Sequence, residues 1–286
     1  MISRNKGIFS LEVLVPVLGF LFAALSTWTL YRHVVTPRAQ DAEVRRSLAS
    51  ARGASGESAE MKARPLVLII KDDEPMFEII FCFWGMIILG YKLVHVTLER
   101  RLFQHDFVRV QPGERVIPGD ALDRYKELKS AIEREPKWRE RLLPECILAS
   151  LHRFHATSSV QDAANAVRER AELAGDELDS SLSLVRYIAW AIPAIGFVGT
   201  VRGIGEALNF AEQAIKGDIS SVTRGLGLAF NSTFVGLSLC IVLMFWLHLV
   251  QARQEAFILE TQTFCRDKLI DVMKVPTKEE AAASHA

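Results

Sequence analysis

The chain carries no excess of charge of either sign: 34 Lys and Arg balance 34 Asp and Glu in 286 residues. That balance leaves no basic footprint for nucleic acid. Cysteine is scarce. Cys82, Cys146, Cys240 and Cys265 are scattered and form no CxxC pair. They read as reduced packing residues, which excludes a disulfide framework and a cysteine metal site. Also missing are a P-loop, GxSxG, HExxH and a Gly-rich nucleotide fingerprint. The chain therefore reads as a non-enzyme with no bound cofactor, and any energy it uses must come from an ion gradient.

What the sequence has instead is apolar length. Half of its residues are hydrophobic, and 24% are charged, which is too many for a pure membrane bundle. Four segments read as membrane spans, each close to the roughly 20 residues that a bilayer requires. The expected layout is a short cytoplasmic N-terminus (1–9), spans at 10–31 and 76–97 flanking a periplasmic loop (32–75), and a cytoplasmic helical domain (98–186). Spans at 187–208 and 226–250 follow, joined by a short periplasmic link (209–225), and a helical cytoplasmic tail (251–286) closes the chain. Val13 to Leu30 is free of charge, and with three spans behind it the first segment reads as an uncleaved helix rather than a signal peptide. Pro75 suits the first turn of the second span, and Asp72, Asp73 and Glu74 complement its N-terminus. Lys92 and His95 are placed to snorkel at its far end. Glu12 falls in the first turn of the first span and reads as an interface charge.

Orientation follows the basic residues. Arg100, Arg101, Arg109, Arg124, Lys126 and Arg139 lie in the long connection, and Arg253, Arg266 and Lys268 in the tail. Both segments are assigned to the cytoplasm, with the N- and C-termini inside. The link with only Lys216 and Arg224 falls outside. The first loop opposes this order with Arg32, Arg38, Arg45 and Arg46, and its stretch ASARGASGESAE is low-complexity.

The polar part reads as helical. Pro118, Gly119 and Asp120 are expected to form a turn and N-cap before ALDRYKELKSAIERE. A second helix is expected after Pro136 through WRERLLPECILASLHRFH. A third starts near Ser159 and continues unbroken into the third span, with Pro193 as a kink, and the fourth span projects on through Gln251 to Met273. The fold class is thus an all-α membrane protein: four transmembrane helices with long helical extensions into a cytoplasmic bundle. His152 and His155 lie three apart, without a cysteine or carboxylate at ligand spacing, so no metal site is assigned.

Thr200 and Thr233 stand out. Each sits in an apolar stretch surrounded by small residues: AIPAIGFVGTVRGIG (Ala191 to Gly205) and GLGLAFNSTFVGLSL (Gly225 to Leu239). A threonine hydroxyl in hydrocarbon must bond its own helix or face something polar. Gly196, Gly199 and Gly203, at helical spacing, read as a close helix contact, as do Ala229, Ser232 and Gly236. Asn231 is a candidate to line a pore beside Thr233; it and Ser232 point to different faces. Arg202 and Glu206, at i and i+4, are either a pore-mouth filter or an interfacial salt pair.

This paired pattern resembles the MotA/TolQ/ExbB proton-channel family. The third-span signature is carried by Pro193, Gly196, Gly199, Thr200, Val201, Gly203 and Ile204, and the fourth-span signature by Ala229, Ser232, Thr233, Gly236 and Leu237. The resemblance implies a homopentamer around a dimer of a single-span MotB/ExbD/TolR-like partner with a transmembrane aspartate. Protons, or less commonly Na+, would cross at the interface and drive mechanical work, with Thr200 and Thr233 beside the partner's carboxylate. ExbB-like and TolQ-like members carry a glutamate early in the fourth span. Gly225 to Phe230 holds no acid, which resembles the flagellar-stator branch. A membrane scaffold that assembles a partner without conducting is the alternative.

Overall fold

The computed structural model describes residues 6–51, 66–105, 107–108, 114–217 and 219–275. The side chain of Glu12, Arg109 and most of the low-complexity stretch lie outside them. The described residues are helical, with no strand and one isolated bridge between Val116 and Met273. The helices are α1 (Lys6–Leu30), α2 (Thr36–Ala51), α3 (Leu66–Ile69), α4 (Asp73–Arg100), α5 (Pro118–Arg134), α6 (Leu142–Thr157), α7 (Val160–Ser180), α8 (Ser183–Asn209), α9 (Ala211–Ile215) and α10 (Ser220–Lys268). Four helical runs among them are long and apolar enough to cross a membrane.

The chain divides into two compact units, residues 1–91 with 183–248, and residues 92–182 with 249–286. In the first unit, α1 does not end with its apolar stretch. A π-helical turn, Tyr31–Val35, leads directly into α2, so helix enters the segment expected to be loop. The Tyr31 hydroxyl donates to the carbonyl of Ile70 at 2.7 Å, and Lys71 pairs with Glu43. Trp84 of α4 donates its indole N–H to the carbonyl of Pro16 in α1 at 2.8 Å, which satisfies the polar edge of a large ring in an apolar setting. Pro193 lies inside α8. Proline cannot donate to the carbonyl four residues back, which is that of Ala189. The Cys240 thiol of α10 takes that carbonyl at 3.2 Å. Cys240, expected only to pack, thus covers the acceptor that Pro193 releases.

The second unit has its own core, built from Leu128, Leu143, Ile147, Phe154, Val167, Phe257 and Leu269 with their neighbours. Arg141 bonds the buried Glu99 at 2.7 Å, Arg170 clasps Glu145, and Arg100 meets Glu260 at 2.9 Å. Cys146 and Cys265 are buried free thiols.

Three local expectations are corrected here. α5 begins at Pro118, not after Asp120: proline needs no N–H donor in a first turn, and Asp120 serves as the first-turn acid instead. The helix expected from Pro136 is a short 3-10 turn, Pro136–Trp138, and Glu140 has φ 58°, a left-handed conformation that no helix passes through, so α6 starts at Leu142. The helix from Ser159 does not run unbroken into the third span. Ser159 does cap it, accepting from the N–H of Asp162, but α7 ends at Ser180 and α8 restarts at Ser183. His155 bonds the carbonyl of Pro118 and His152 lies against the ring of Tyr125.

Candidate functional site

The site belongs to the first unit and starts from small residues. Gly203 of α8 has no room for a side chain: a Cβ there would lie 2.8 Å from the carbonyl oxygen of Gly225 and 2.9 Å from both the Cβ and N of Ala229. One turn back, a Cβ on Gly199 would overlap Ser232. One turn further, a Cβ on Gly196 would lie 3.1 Å from both the carbonyl oxygen of Ser232 and the Cα of Thr233. Gly196, Gly199 and Gly203 therefore bring the backbone of α8 onto α10, where Ala229 and Ser232 are buried. The opposite faces stay apolar and exposed, with Phe197, Val201 and Leu208 on α8 and Phe230, Phe234 and Ile241 on α10.

That approach puts the two threonines side by side. Their hydroxyls are hydrogen-bonded to each other. Thr200 Oγ1 is also 3.2 Å from the carbonyl oxygens of both Gly196 and Ala229, and Thr233 Oγ1 is 3.1 Å from that of Gly196. Each hydroxyl has one proton to donate and can accept. Thr200 thus has three acceptors for one proton, and Thr233 has two. Asn231 is half-buried, one residue before the buried Ser232.

A carboxylate that the sequence reading passed over completes the arrangement. Glu78 of α4 is fully buried. Its Oε1 is 3.4 Å from the Ser232 hydroxyl, which donates to it, and its Oε2 has no hydrogen-bond partner. The carboxyl lies over a notch made by two glycines: a Cβ on Gly196 would come within 2.9 Å of Oε1, and one on Gly236 within 3.1 Å. Gly236, read as a packing residue toward a neighbouring helix, makes room for this acid. One turn before Glu78, Glu74 pairs with Arg202 at 2.9 Å, and Arg202 also reaches Glu206 at 3.5 Å. The structure thus ties Arg202 to α4 as well as to its i+4 neighbour. Asp72, just ahead of α4, is held above the ordinary carboxylate range, chiefly by its burial. The available signal for Glu78 was a lone acid inside FEIIFCFWGMIILG; an ionisable residue within an apolar span is a functional candidate by default.

Residues 139–263 match the model of the MotA/TolQ/ExbB proton channel family. No curated protein and no solved structure matches it. Members of this family are channel or transducer subunits rather than enzymes. Together with four helices long and apolar enough to cross a membrane, the match indicates a multi-pass membrane protein. The family match includes Thr200, Thr233 and the glycine contact. It begins after α4, so Glu78 and Glu74 stand outside it.

Proposed function

We propose that this chain is the channel subunit of a stator-type motor in a bacterial inner membrane. Five copies would surround a dimer of a single-span partner that carries a transmembrane aspartate, and ion flow past Thr200 and Thr233 would be turned into mechanical work. The observation that carries this reading is the threonine pair. Two hydroxyls share more acceptors than they have protons, so they can donate to a carboxylate or accept from it in either protonation state. A fixed charge at that position would hold a passing cation too tightly. The ion is assigned as H+, with Na+ as the variant, and no cofactor is needed. Asn231 is assigned to the pore wall, and Arg202 and Glu206, with Glu74, to its outer mouth. The basic residues of 98–186 and of the tail support a cytoplasmic second unit with both termini inside.

One observation favours the non-conducting scaffold. Both hydroxyls are already satisfied by helix carbonyls, as any intramembrane threonine must be. Two measurements decide between the readings. Native mass spectrometry in detergent should give a five-subunit ring, and cells that express the chain with its single-span partner should show a proton leak by a cytoplasmic pH dye. A clean monomer or dimer sinks the ring; a ring without leak leaves the scaffold.

A further inference from the structure

The geometry points to a second protonation site, held within a single subunit: the Glu78 carboxyl, in the notch between Gly196 and Gly236 and against Ser232, binds and releases a proton beside the threonine pair. This rests on the channel reading for its purpose, but not for its chemistry.

The argument starts from burial. A carboxylate taken out of water is retained only if it is paired, well hydrogen-bonded or protonated. Glu78 is 0% exposed. Among the described residues no basic side chain lies within ion-pair distance of it: Arg202 is engaged one turn away by Glu74 and Glu206. The groups around Glu78 are few. Ser232 of α10 gives one long hydrogen bond, Glu74 of α4 adds a like charge, and Tyr31 directs its phenol to the carbonyl of Ile70. Oε2 has no partner at all. A charge stranded this way is served best by a proton.

The position makes that proton useful. Gly196 is shared by both features: its Cα faces the carboxyl of Glu78, and its carbonyl accepts from Thr200 and Thr233. Ser232, which donates to Glu78, is the chain neighbour of Thr233. The carboxyl and the threonine pair therefore meet at the same glycine of α8. On the other side, Glu74 lies one turn from Glu78 on the same helix face and reaches Arg202 beside the mouth. Two glycines where side chains would ordinarily fill the space keep the carboxyl seated against α8 and α10.

The test is carbodiimide labelling of the full-length protein in native membranes. Dicyclohexylcarbodiimide reacts with a carboxyl in its protonated form: the acid proton moves to a carbodiimide nitrogen, the carboxyl oxygen bonds the central carbon, and rearrangement leaves a stable N-acylurea. Peptide mass spectrometry should find the adduct on Glu78, falling as the pH is raised and unchanged by added Na+. Glu78→Gln should abolish the label and lower proton leak at least about tenfold, while the ring mass stays the same. Glutamine keeps the shape and accepts from Ser232, so a purely structural role would be rescued by it. Glu78→Asp should retain part of both signals. Absence of the adduct, labelling that ignores pH, protection by Na+, or wild-type leak from Glu78→Gln at equal abundance would overturn the assignment. If the wild type labels as expected but does not leak, the site stands and the channel reading falls. If Thr→Val stops the leak and Glu78→Gln does not, the reverse holds.

Discussion

Changing Thr200 and Thr233 together to valine should leave the subunit folded and stop its current, and the structure gives a reason for each half. Valine replaces a hydroxyl with a methyl at almost the same shape. The hydrogen bonds lost are those between the two hydroxyls and from them to the carbonyls of Gly196 and Ala229. Side-chain hydrogen bonds between membrane helices are worth on average about 0.6 kcal/mol each. Two protons can make two such bonds at once, so the loss is about 1 kcal/mol, and the carbonyls keep the backbone partners of their own helices. The backbone contact at Gly199 and Gly203 is untouched. The double variant should therefore unfold within a few degrees of the wild type in detergent and give the same ring mass. Proton leak, read with a cytoplasmic pH dye at matched membrane abundance, should drop to background. Thr→Ser at both positions should restore part of it, because the hydroxyls return. Wild-type leak from the double valine variant would refute the pore-lining assignment. A variant that no longer assembles would refute the energy estimate.

The glycine contact predicts a matched pair of alanine variants. Gly203→Ala should weaken the subunit by roughly 1–3 kcal/mol, since its Cβ would meet backbone and Ala229, whereas Gly205→Ala, with open space around it, should be neutral or gain up to about 1 kcal/mol of helix propensity; equal melting temperatures would dismiss the contact. In the second unit, Arg141→Met should destabilise by roughly 2 kcal/mol or more, because Glu99 is left buried with its charge unpaired. That loss should shrink as the pH falls and the carboxyl is neutralised; a loss that is constant with pH would mean that the arginine acts through packing alone. For topology, a cysteine placed at Lys216 should be labelled from outside intact cells and one at Ser130 should not, and equal labelling would overturn the orientation.

The parts of the site that could be read from sequence are those written in one local pattern. Gly196, Gly199, Thr200 and Gly203 recur at helical spacing within a single apolar stretch, and Ala229, Ser232, Thr233 and Gly236 within another, so which residues share a face follows from the 3.6-residue period alone. Their meeting across two helices is then a short inference, because the connection between them is short. Glu78 is different. Periodicity along α4 does not say which neighbour that face meets, and the adjacent run Asp72, Asp73, Glu74 has a sufficient local explanation in the helix N-terminus. Its partners Gly196, Ser232 and Gly236 are more than a hundred residues away in the chain. The Cys240 thiol escaped notice for the same reason: the acceptor it covers exists only because Pro193, on another helix, leaves it free. Helix ends were the least legible. Nothing in the composition around Glu140 announces a left-handed residue, and the serine-rich step at Ser181 looks helical in sequence although α7 ends at Ser180 and α8 restarts at Ser183.

The threonine pair has a property that no single hydrogen bond would have. Its oxygens are held by a backbone contact with no slack, yet its hydrogens are not fixed by that contact, because Thr200 can turn its O–H toward Gly196, Ala229 or Thr233 without a heavy atom moving. The arrangement resembles ice, where the oxygen lattice is ordered and the proton order is not. A charge that arrives beside such a pair is answered by the rotation of O–H bonds, on the timescale of a hydroxyl rotor, rather than by a shift of helices. Rigidity and responsiveness then reside in different atoms of the same two residues, and the helix contact can stay closed through every change in the charge beside it.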